Sequence, residues 1–291
     1  MKHILLTGAT GFLGSHLLEA LLMHGYKVTI LKRSTSNTWR IEHLLEKVCS
    51  YDIDVVSVED AFKVKQVDVV VHTACSYGRQ GQSAFEIAST NMMFGLKVLD
   101  AACMFNTTTF INTDTLLPKY INEYSLSKNH FTEWLNHRRQ VINVVNLRLE
   151  HMYGPKDDKS KFVPWLIGQF EADVARVSLT EGKQLRDFIY IDDVVSAYML
   201  ILNKIENFSE YSEFDVGTGV LTRVCDFVSH IYEQYQNFNP LAKSKLGFGD
   251  IPMREGELMS IKVDNSGLKK MGWNIATEQT DALNKILKAL K

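Results

Sequence analysis

A doubly wound α/β fold, with a parallel sheet covered by helices on both faces, is what this sequence predicts, and three observations predict it. Apolar runs of strand length alternate with stretches of helical periodicity through the first half. Those runs are nearly continuous in hydrophobicity, as strands buried on both faces are. A glycine-rich turn, Gly8-Ala-Thr-Gly11-Phe-Leu-Gly14, joins the first run directly to an amphipathic helix.

In order, strands are expected at residues 3–7, 27–31, 53–58, 67–72, 107–113 and 141–147, with helices at about 12–23, 85–105 and 122–138. After about residue 150 the rhythm loosens, with prolines at 155 and 164 and a helix near 161–170. An apolar run from Phe188 leads into a helix at 194–202, Glu213-Phe-Asp-Val-Gly reads as a short strand, and helices at about 223–236 and 278–290 close the chain. Residues 1–150 are therefore expected to form a dinucleotide-binding domain to which about 187–202 returns. Residues 151–291 would be mainly a smaller substrate-binding lobe.

The chain has 291 residues, 45% hydrophobic and 23% charged, with a net charge of −2, the balance of an ordinary soluble globular protein. A fold of this size buries roughly three quarters of its unfolded surface, so a sizeable core is available. Nothing in this balance suggests a nucleic-acid or membrane surface. The basic cluster His137-Arg138-Arg139 suits a solvated helix end, where cations complement the helix dipole. The first apolar run meets Gly8 too early for a signal peptide, and no stretch reaches the roughly 20 apolar residues of a spanning helix. A cytoplasmic location is expected by default. Cysteines 49, 75, 103 and 225 lie far apart without CxxC spacing, so neither a metal site nor a disulfide framework is expected.

The glycine turn carries the first chemistry. Glycine permits a tight turn and close backbone approach, and the helix N-terminus presents amide hydrogens to a pyrophosphate. Gly8, Thr10, Gly11, Phe12, Leu13 and Gly14 are the candidates for that contact. The second strand should end near the adenosine ribose, where an acidic residue would bind the free 2′-hydroxyl of NAD(H). The chain instead reads Leu31-Lys32-Arg33-Ser34. Arg33 with the hydroxyl of Ser34 suits a 2′-phosphate, which favours NADP(H). NAD(H) stays open if Lys32 and Arg33 are only exposed loop charges.

Tyr124 and Lys128 lie four residues apart and share one helix face. A phenol ionises near pH ~10, so neutral-pH proton transfer is helped by a neighbouring cation. At about 4 Å and an effective dielectric of about 20 the attraction is worth about 4 kcal/mol, enough to bring the phenol down by roughly three pKa units. Thr113, at an expected strand end, supplies a further hydroxyl.

Taken together, Gly8-x-x-Gly11-x-x-Gly14, Thr113 and Tyr124-x-x-x-Lys128 resemble the extended short-chain dehydrogenase/reductase family that acts on nucleotide sugars, over nearly the whole chain. The resemblance implies a Rossmann-type fold, Tyr124 as acid/base, Lys128 on the nicotinamide ribose, and Thr113 on the reacting oxygen. His72-Thr-Ala-Cys75 and Asn91 look like the family's fourth-strand end and next helix, which adds Thr73, Ala74 and Asn91 to the cofactor contacts. Arg186 and Arg254 resemble arginines that grip a nucleotide diphosphate, with a structural salt bridge as the alternative for each. Arg79 and Asp114 complete the substrate-binding candidates, although Asp114 could instead cap the turn after its strand. Similar proteins are homodimers through helices corresponding to residues 85–105 and 122–138.

Two departures narrow the implied reaction. Family dehydratases carry Thr-Asp-Glu where this chain has Thr113-Asp114-Thr115, so elimination of water is disfavoured. Tyr124 follows Thr113 by only eleven residues, a shorter approach than epimerases and dehydratases have. The segments around Asn112 and Asn122 look closest to nucleotide-dideoxyhexose reductases of O-antigen assembly, the CDP-abequose and CDP-paratose synthase type. The implied activity is NADPH-dependent reduction of the C4 keto group of a nucleotide-diphosphate 4-keto-dideoxyhexose, without a metal. The alternatives are a nucleotide-sugar 4-epimerase holding NAD and a non-catalytic dinucleotide-binding module.

Overall fold

The computed structural model describes residues 2–290. The chain divides into two compact units, one comprising residues up to Leu149 together with Val195–Val216, the other Glu150–Val194 with the residues from Gly217 on.

The first unit holds a seven-stranded parallel sheet. Its strands are β1 (His3–Thr7), β2 (Lys27–Lys32), β3 (Cys49–Asp52), β4 (Val69–His72), β5 (Thr109–Thr115), β6 (Asn143–Leu149) and β7 (Tyr211–Val216), in the order β7-β6-β5-β4-β1-β2-β3. The order reverses between β4 and β1, and a crevice outside the carboxyl ends of such strands is where doubly wound sheets bind ligands. Register aligns those ends, Thr7 opposite His72 and His72 opposite Asn112. The principal helices are α1 (Phe12–Met23), α2 (Phe94–Met104), α3 (Glu123–His137) and α4 (Ile191–Asn203). One core layer joins Leu5, Val70, Phe110 and Val144 of the sheet to Val98, Leu99, Ala102, Phe131 and Leu135 of α2 and α3. That apolar stripe, spaced at helical period, is what holds α2 and α3 on the sheet.

Two elements differ from expectation. The third strand is Cys49–Asp52, not 53–58, because Asp52 ends it. Its side-chain Oδ1 accepts from the Asp54 amide at 3.1 Å, and its carbonyl accepts from the amides of Val55 and Val56 at 3.0 and 2.9 Å. That turn consumes the apolar run the sequence offered as a strand. The helix expected at 85–105 is α-helical at Ala84–Ala88, π-helical at Ser89–Met93, and α-helical again in α2. Ser83 and Glu86 form a capping box at its start. A π segment inside a helix is frequent at functional sites, and this one carries Asn91.

The second unit contains three two-stranded pairings, His151–Tyr153 with Phe188–Tyr190, Leu185–Arg186 with Thr222–Arg223, and Arg176–Leu179 with Lys245–Phe248. Helices Phe162–Glu171, Val224–Phe238 and Gln279–Lys288 belong to it. Aromatic rings fill its core, with Phe188 stacked on Phe227 at 3.7 Å between centroids and Tyr153 edge-on to Phe227 at 5.4 Å. No helix among the described residues is long and apolar enough to cross a membrane.

His72, at the end of β4, is fully buried against Phe94, Phe110 and Phe131. The Thr7 hydroxyl accepts from the amides of Thr73 and Ala74 at 3.2 and 3.3 Å, so its own proton goes to His72 Nδ1 at 2.9 Å. The ring proton is thereby assigned to Nε2, which finds no acceptor. Burial, and then the charge of Lys128, pushes the imidazole pKa down to about 3 from 6.5. Between those values the unfolded chain binds a proton that the native state does not, so stability rises with pH and is lost on acidification. Denaturant unfolding at pH 7, 6 and 5 should show this as a loss of up to about 1.4 kcal/mol per pH unit. His72→Phe should flatten that dependence, and an unchanged slope would show that His72 is not its source.

Candidate active site

The glycine turn is built by contacts that leave no room for side chains. Gly8 has φ +70°, and a Cβ there would lie 2.7 Å from both the Ala74 amide nitrogen and Thr73 Oγ1. The Gly11 amide donates to the Gly8 carbonyl at 2.9 Å, and Thr73 Oγ1 donates to the Thr7 carbonyl at 2.8 Å. A Cβ on Gly14 would fall 2.0 Å from the Gly8 carbonyl oxygen, so α1 packs directly on the turn. Gly11 is the N-cap of α1 and no side chain caps it, which leaves first-turn amides for an anion. Gly8, Thr10, Gly11, Phe12, Leu13, Gly14, Thr73 and Ala74 thus meet at one place. Sequence reasoning missed Arg40, whose Nη1 donates to the Thr10 carbonyl at 3.3 Å while its guanidinium lies over the Trp39 ring at 4.6 Å.

At the end of β2 the two predicted groups part company. Arg33 is exposed and forms no ion pair among the described residues. The Ser34 hydroxyl donates to Asp52 Oδ2 at 2.8 Å, its amide donates to Asp54 Oδ2 at 2.9 Å, and Lys32 Nζ lies 3.6 Å from Asp52. Ser34 is therefore engaged in tying β2 to β3. The Asp52 carboxylate at this edge went unseen because the third strand was expected farther along the chain.

Helix α3 carries the acid/base pair. Asn122 and Ser125 cap it reciprocally, with Ser125 N donating to Asn122 Oδ1 at 2.8 Å, and so fix the turn that holds Tyr124. Lys128 is 2% exposed and pairs with no carboxylate among the described residues. A buried ammonium in that state is costly unless hydroxyls or an anion complete it. The uncapped glycine turn and this ammonium fit a dinucleotide.

Tyr124 is half-buried, its ring 4.9 Å from that of Tyr77. Burial, and then Cys75 and Asp114, hold its phenol well above the ordinary value of 10, while the Thr115 hydroxyl and the Arg79 guanidinium pull the other way. This corrects the expectation that Lys128 lowers it. Spacing shows that two side chains share a helix face, but not how far each is removed from water. The Thr115 hydroxyl, read in the sequence only for the glutamate it replaces, is a hydrogen-bond partner of the Tyr124 phenol.

Asn91, Asp114 and Thr113 are each hydrogen-bonded to neighbouring segments. Asn91 Oδ1 accepts from the Ser76 amide at 2.6 Å, and its Nδ2 donates to the Ser76 carbonyl and to Ser127 Oγ, both at 2.9 Å. Both amide protons are spent joining the loop after β4 to α3, so Asn91 positions the site. Asp114 accepts from the Thr115 amide at 2.8 Å, Thr132 Oγ1 at 2.7 Å and Asn146 Nδ2 at 3.0 Å. These contacts engage both oxygens of its carboxylate at the strand end. Thr113 Oγ1 lies 2.7 Å from the Tyr198 hydroxyl.

Of the arginines, Arg79 is exposed with its guanidinium 5.3 Å from the centre of the Tyr77 ring, close to Tyr124. In the second unit Arg186 is ion-paired to Glu257 at 2.5 Å and donates to the Leu185 carbonyl at 2.8 Å. Arg254 is exposed, its carbonyl accepting from the Glu257 amide at 3.2 Å.

A parallel sheet with this strand order, a glycine turn at its switch point, and Tyr124 and Lys128 on one helix define an NAD(P)-dependent enzyme of the extended short-chain dehydrogenase/reductase type. The chain belongs to the NAD-dependent epimerase/dehydratase family, whose model matches residues 4–217. It is 33% identical to CDP-abequose synthase of Salmonella typhimurium over 299 aligned residues, covering 99% of this chain and 98% of that one. It is 22% identical to a putative UDP-glucose 4-epimerase of Methanocaldococcus jannaschii over 99% of this chain and 98% of the other. Among solved structures, UDP-glucose 4-epimerase of Thermotoga maritima with UDP-glucose superposes with a TM-score of 0.82 at 22% identity, covering 99% and 98% of the two chains.

Proposed function

We propose that this enzyme reduces the C4 carbonyl of a nucleotide-linked 4-keto-dideoxyhexose, with a CDP sugar as substrate and NADPH as cofactor. The observation that carries the reading is Tyr124, a phenol kept protonated by burial among Tyr77 and Cys75 after β4 and Asp114 of β5. Reduction of a ketone needs a proton donor, and a phenol remains acidic enough to protonate an alkoxide. The chemistry NADPH would supply there is a hydride to the carbonyl carbon. Tyr124 gives its proton to the developing alkoxide, Thr113 orients that oxygen, and the Thr115 hydroxyl and Arg79 guanidinium, which pull against burial, offset part of the tyrosinate charge that remains. Thr115, lacking a carboxylate, offers no second base for eliminating water. The choice of sugar rests on the full-length similarity to CDP-abequose synthase.

The same reading makes the protein a cytoplasmic homodimer in deoxysugar or O-antigen assembly. Exposed Phe85, Met93, Met104 and Trp134 on the helices expected at the dimer contact support it.

The test is to supply NADPH with CDP-, dTDP- and UDP-linked 4-keto-deoxysugars, follow cofactor oxidation, and determine the configuration at C4 of the product. Oxidation with the CDP sugar is expected. Absence of oxidation with every ketone would overturn the reading, as would protein that purifies with stoichiometric NAD and interconverts C4 epimers without added cofactor.

Cofactor choice rests on Arg33. Charge-assisted hydrogen bonds of about 1.5–3 kcal/mol translate to roughly 10- to 100-fold in affinity. Arg33→Asp should raise the NADPH Kd by that factor and leave the NADH Kd within a few-fold, measured by fluorescence titration. Equal changes for both cofactors would mean that no 2′-phosphate sits there.

A further inference from the structure

We propose that Tyr198 is a positioning residue for the reduction, donating its phenol proton to Thr113 and thereby aiming the Thr113 hydroxyl at the reacting oxygen. Nothing local in the sequence joins these residues, which lie 85 positions apart and meet at 2.7 Å. Tyr198, on α4, is 0% exposed. A buried hydroxyl is costly unless it is hydrogen-bonded, and a phenylalanine would fill the same space without that cost. Distance alone leaves the direction of the bond open, but chemistry does not. A phenol is the stronger acid, and its oxygen, conjugated with the ring, is the weaker acceptor, so Tyr198 donates and Thr113 accepts. Burial keeps the phenol protonated, above its ordinary range, so the donor is present throughout neutral pH.

With Tyr198 donating, the Thr113 proton must point elsewhere, and no other partner of that hydroxyl occurs among the described residues. Cys75 and Asp114 raise both the Tyr198 and Tyr124 phenols, which places the two in one electrostatic environment. Tyr124 then supplies the proton that is transferred, while Tyr198 fixes the hydroxyl that holds the oxygen in line.

The inference rests on Thr113 contacting the substrate, and a double-mutant cycle separates the two. Tyr198→Phe should melt with the wild type, keep its KM and its NADPH Kd within twofold, and lose about tenfold in kcat. In a Thr113→Val background the same substitution should cost nothing further, whereas in Thr113→Ser, which keeps the hydroxyl, the tenfold loss should return. If Thr113→Val is impaired but Tyr198→Phe keeps wild-type kcat, or if the two losses multiply, the positioning role is overturned and the reductase reading stands. If Thr113→Val itself leaves kcat unchanged, both fall.

Discussion

Turnover of Tyr124→Phe is expected to fall below about 1% of wild type, because positioned proton transfer contributes roughly 10²- to 10⁴-fold and Tyr124 is its donor. The variant should still fold and bind NADPH. Its hydroxyl bonds Thr115, which lies outside the core, and the glycine turn and Lys128 are untouched. Single-turnover reduction followed by cofactor absorbance, with the dissociation constant measured in parallel, separates the two properties. Retention of more than a few percent of kcat would remove Tyr124 from the mechanism.

The raised phenol makes a second measurement on the wild type informative. With its pKa held above 10 by burial, Cys75 and Asp114, the proton donor is fully populated at pH 7 and stays so as pH rises toward 10. The rate of ketone reduction should therefore be flat on its alkaline side over that span. Had the Lys128 charge governed, the donor would be lost above about pH 7, three units below an ordinary phenol. An alkaline fall in kcat centred near neutrality, absent in Tyr124→Phe, would restore the electrostatic role of Lys128 and displace burial as the dominant influence.

What the sequence revealed was local. The glycine motif Gly8 to Gly14, which runs from the end of β1 into α1, spans seven residues, so its glycines, its strand and its helix could be read together. Tyr124 and Lys128 are one helical turn apart and needed only that periodicity. What it concealed depends on contacts between distant segments. β3 pairs with β2 through Cys49–Asp52, and the stronger apolar run just beyond drew the expectation away, hiding Asp52 and its claim on Ser34. Arg186 pairs with Glu257, 71 residues later, a contact that no local pattern shows. The contacts of Asn91, Asp114 and Tyr198 were hidden for the same reason. A side chain's type shows what it can bind, whereas its role depends on which donors and acceptors neighbouring segments have already engaged.

A contrast between Gly14→Ala and Gly11→Ala should separate packing from ligand approach. The methyl at Gly14 would stand 2.0 Å from the Gly8 carbonyl oxygen, 2.6 Å from its carbon and 2.9 Å from Ala9 Cα. All three are backbone atoms in a turn already closed by the Gly11–Gly8 hydrogen bond, so α1 has to lift away from it. Overpacking of this kind typically costs about 1–3 kcal/mol, which for a unit of this size lowers the melting temperature by several degrees. Displacement of the helix end should also abolish dinucleotide binding. Gly11 differs because it is exposed, has φ −78°, which alanine adopts freely, and would bring its methyl only to 3.2 Å from the Gly8 carbonyl oxygen. Gly11→Ala should therefore melt within a few degrees of wild type yet weaken cofactor binding at least tenfold, because the methyl stands where the pyrophosphate approaches the α1 amides. Thermal melts and cofactor titrations on the two variants give four numbers. Wild-type affinity in Gly11→Ala would mean that the phosphates lie elsewhere, whatever Gly14→Ala does to the fold.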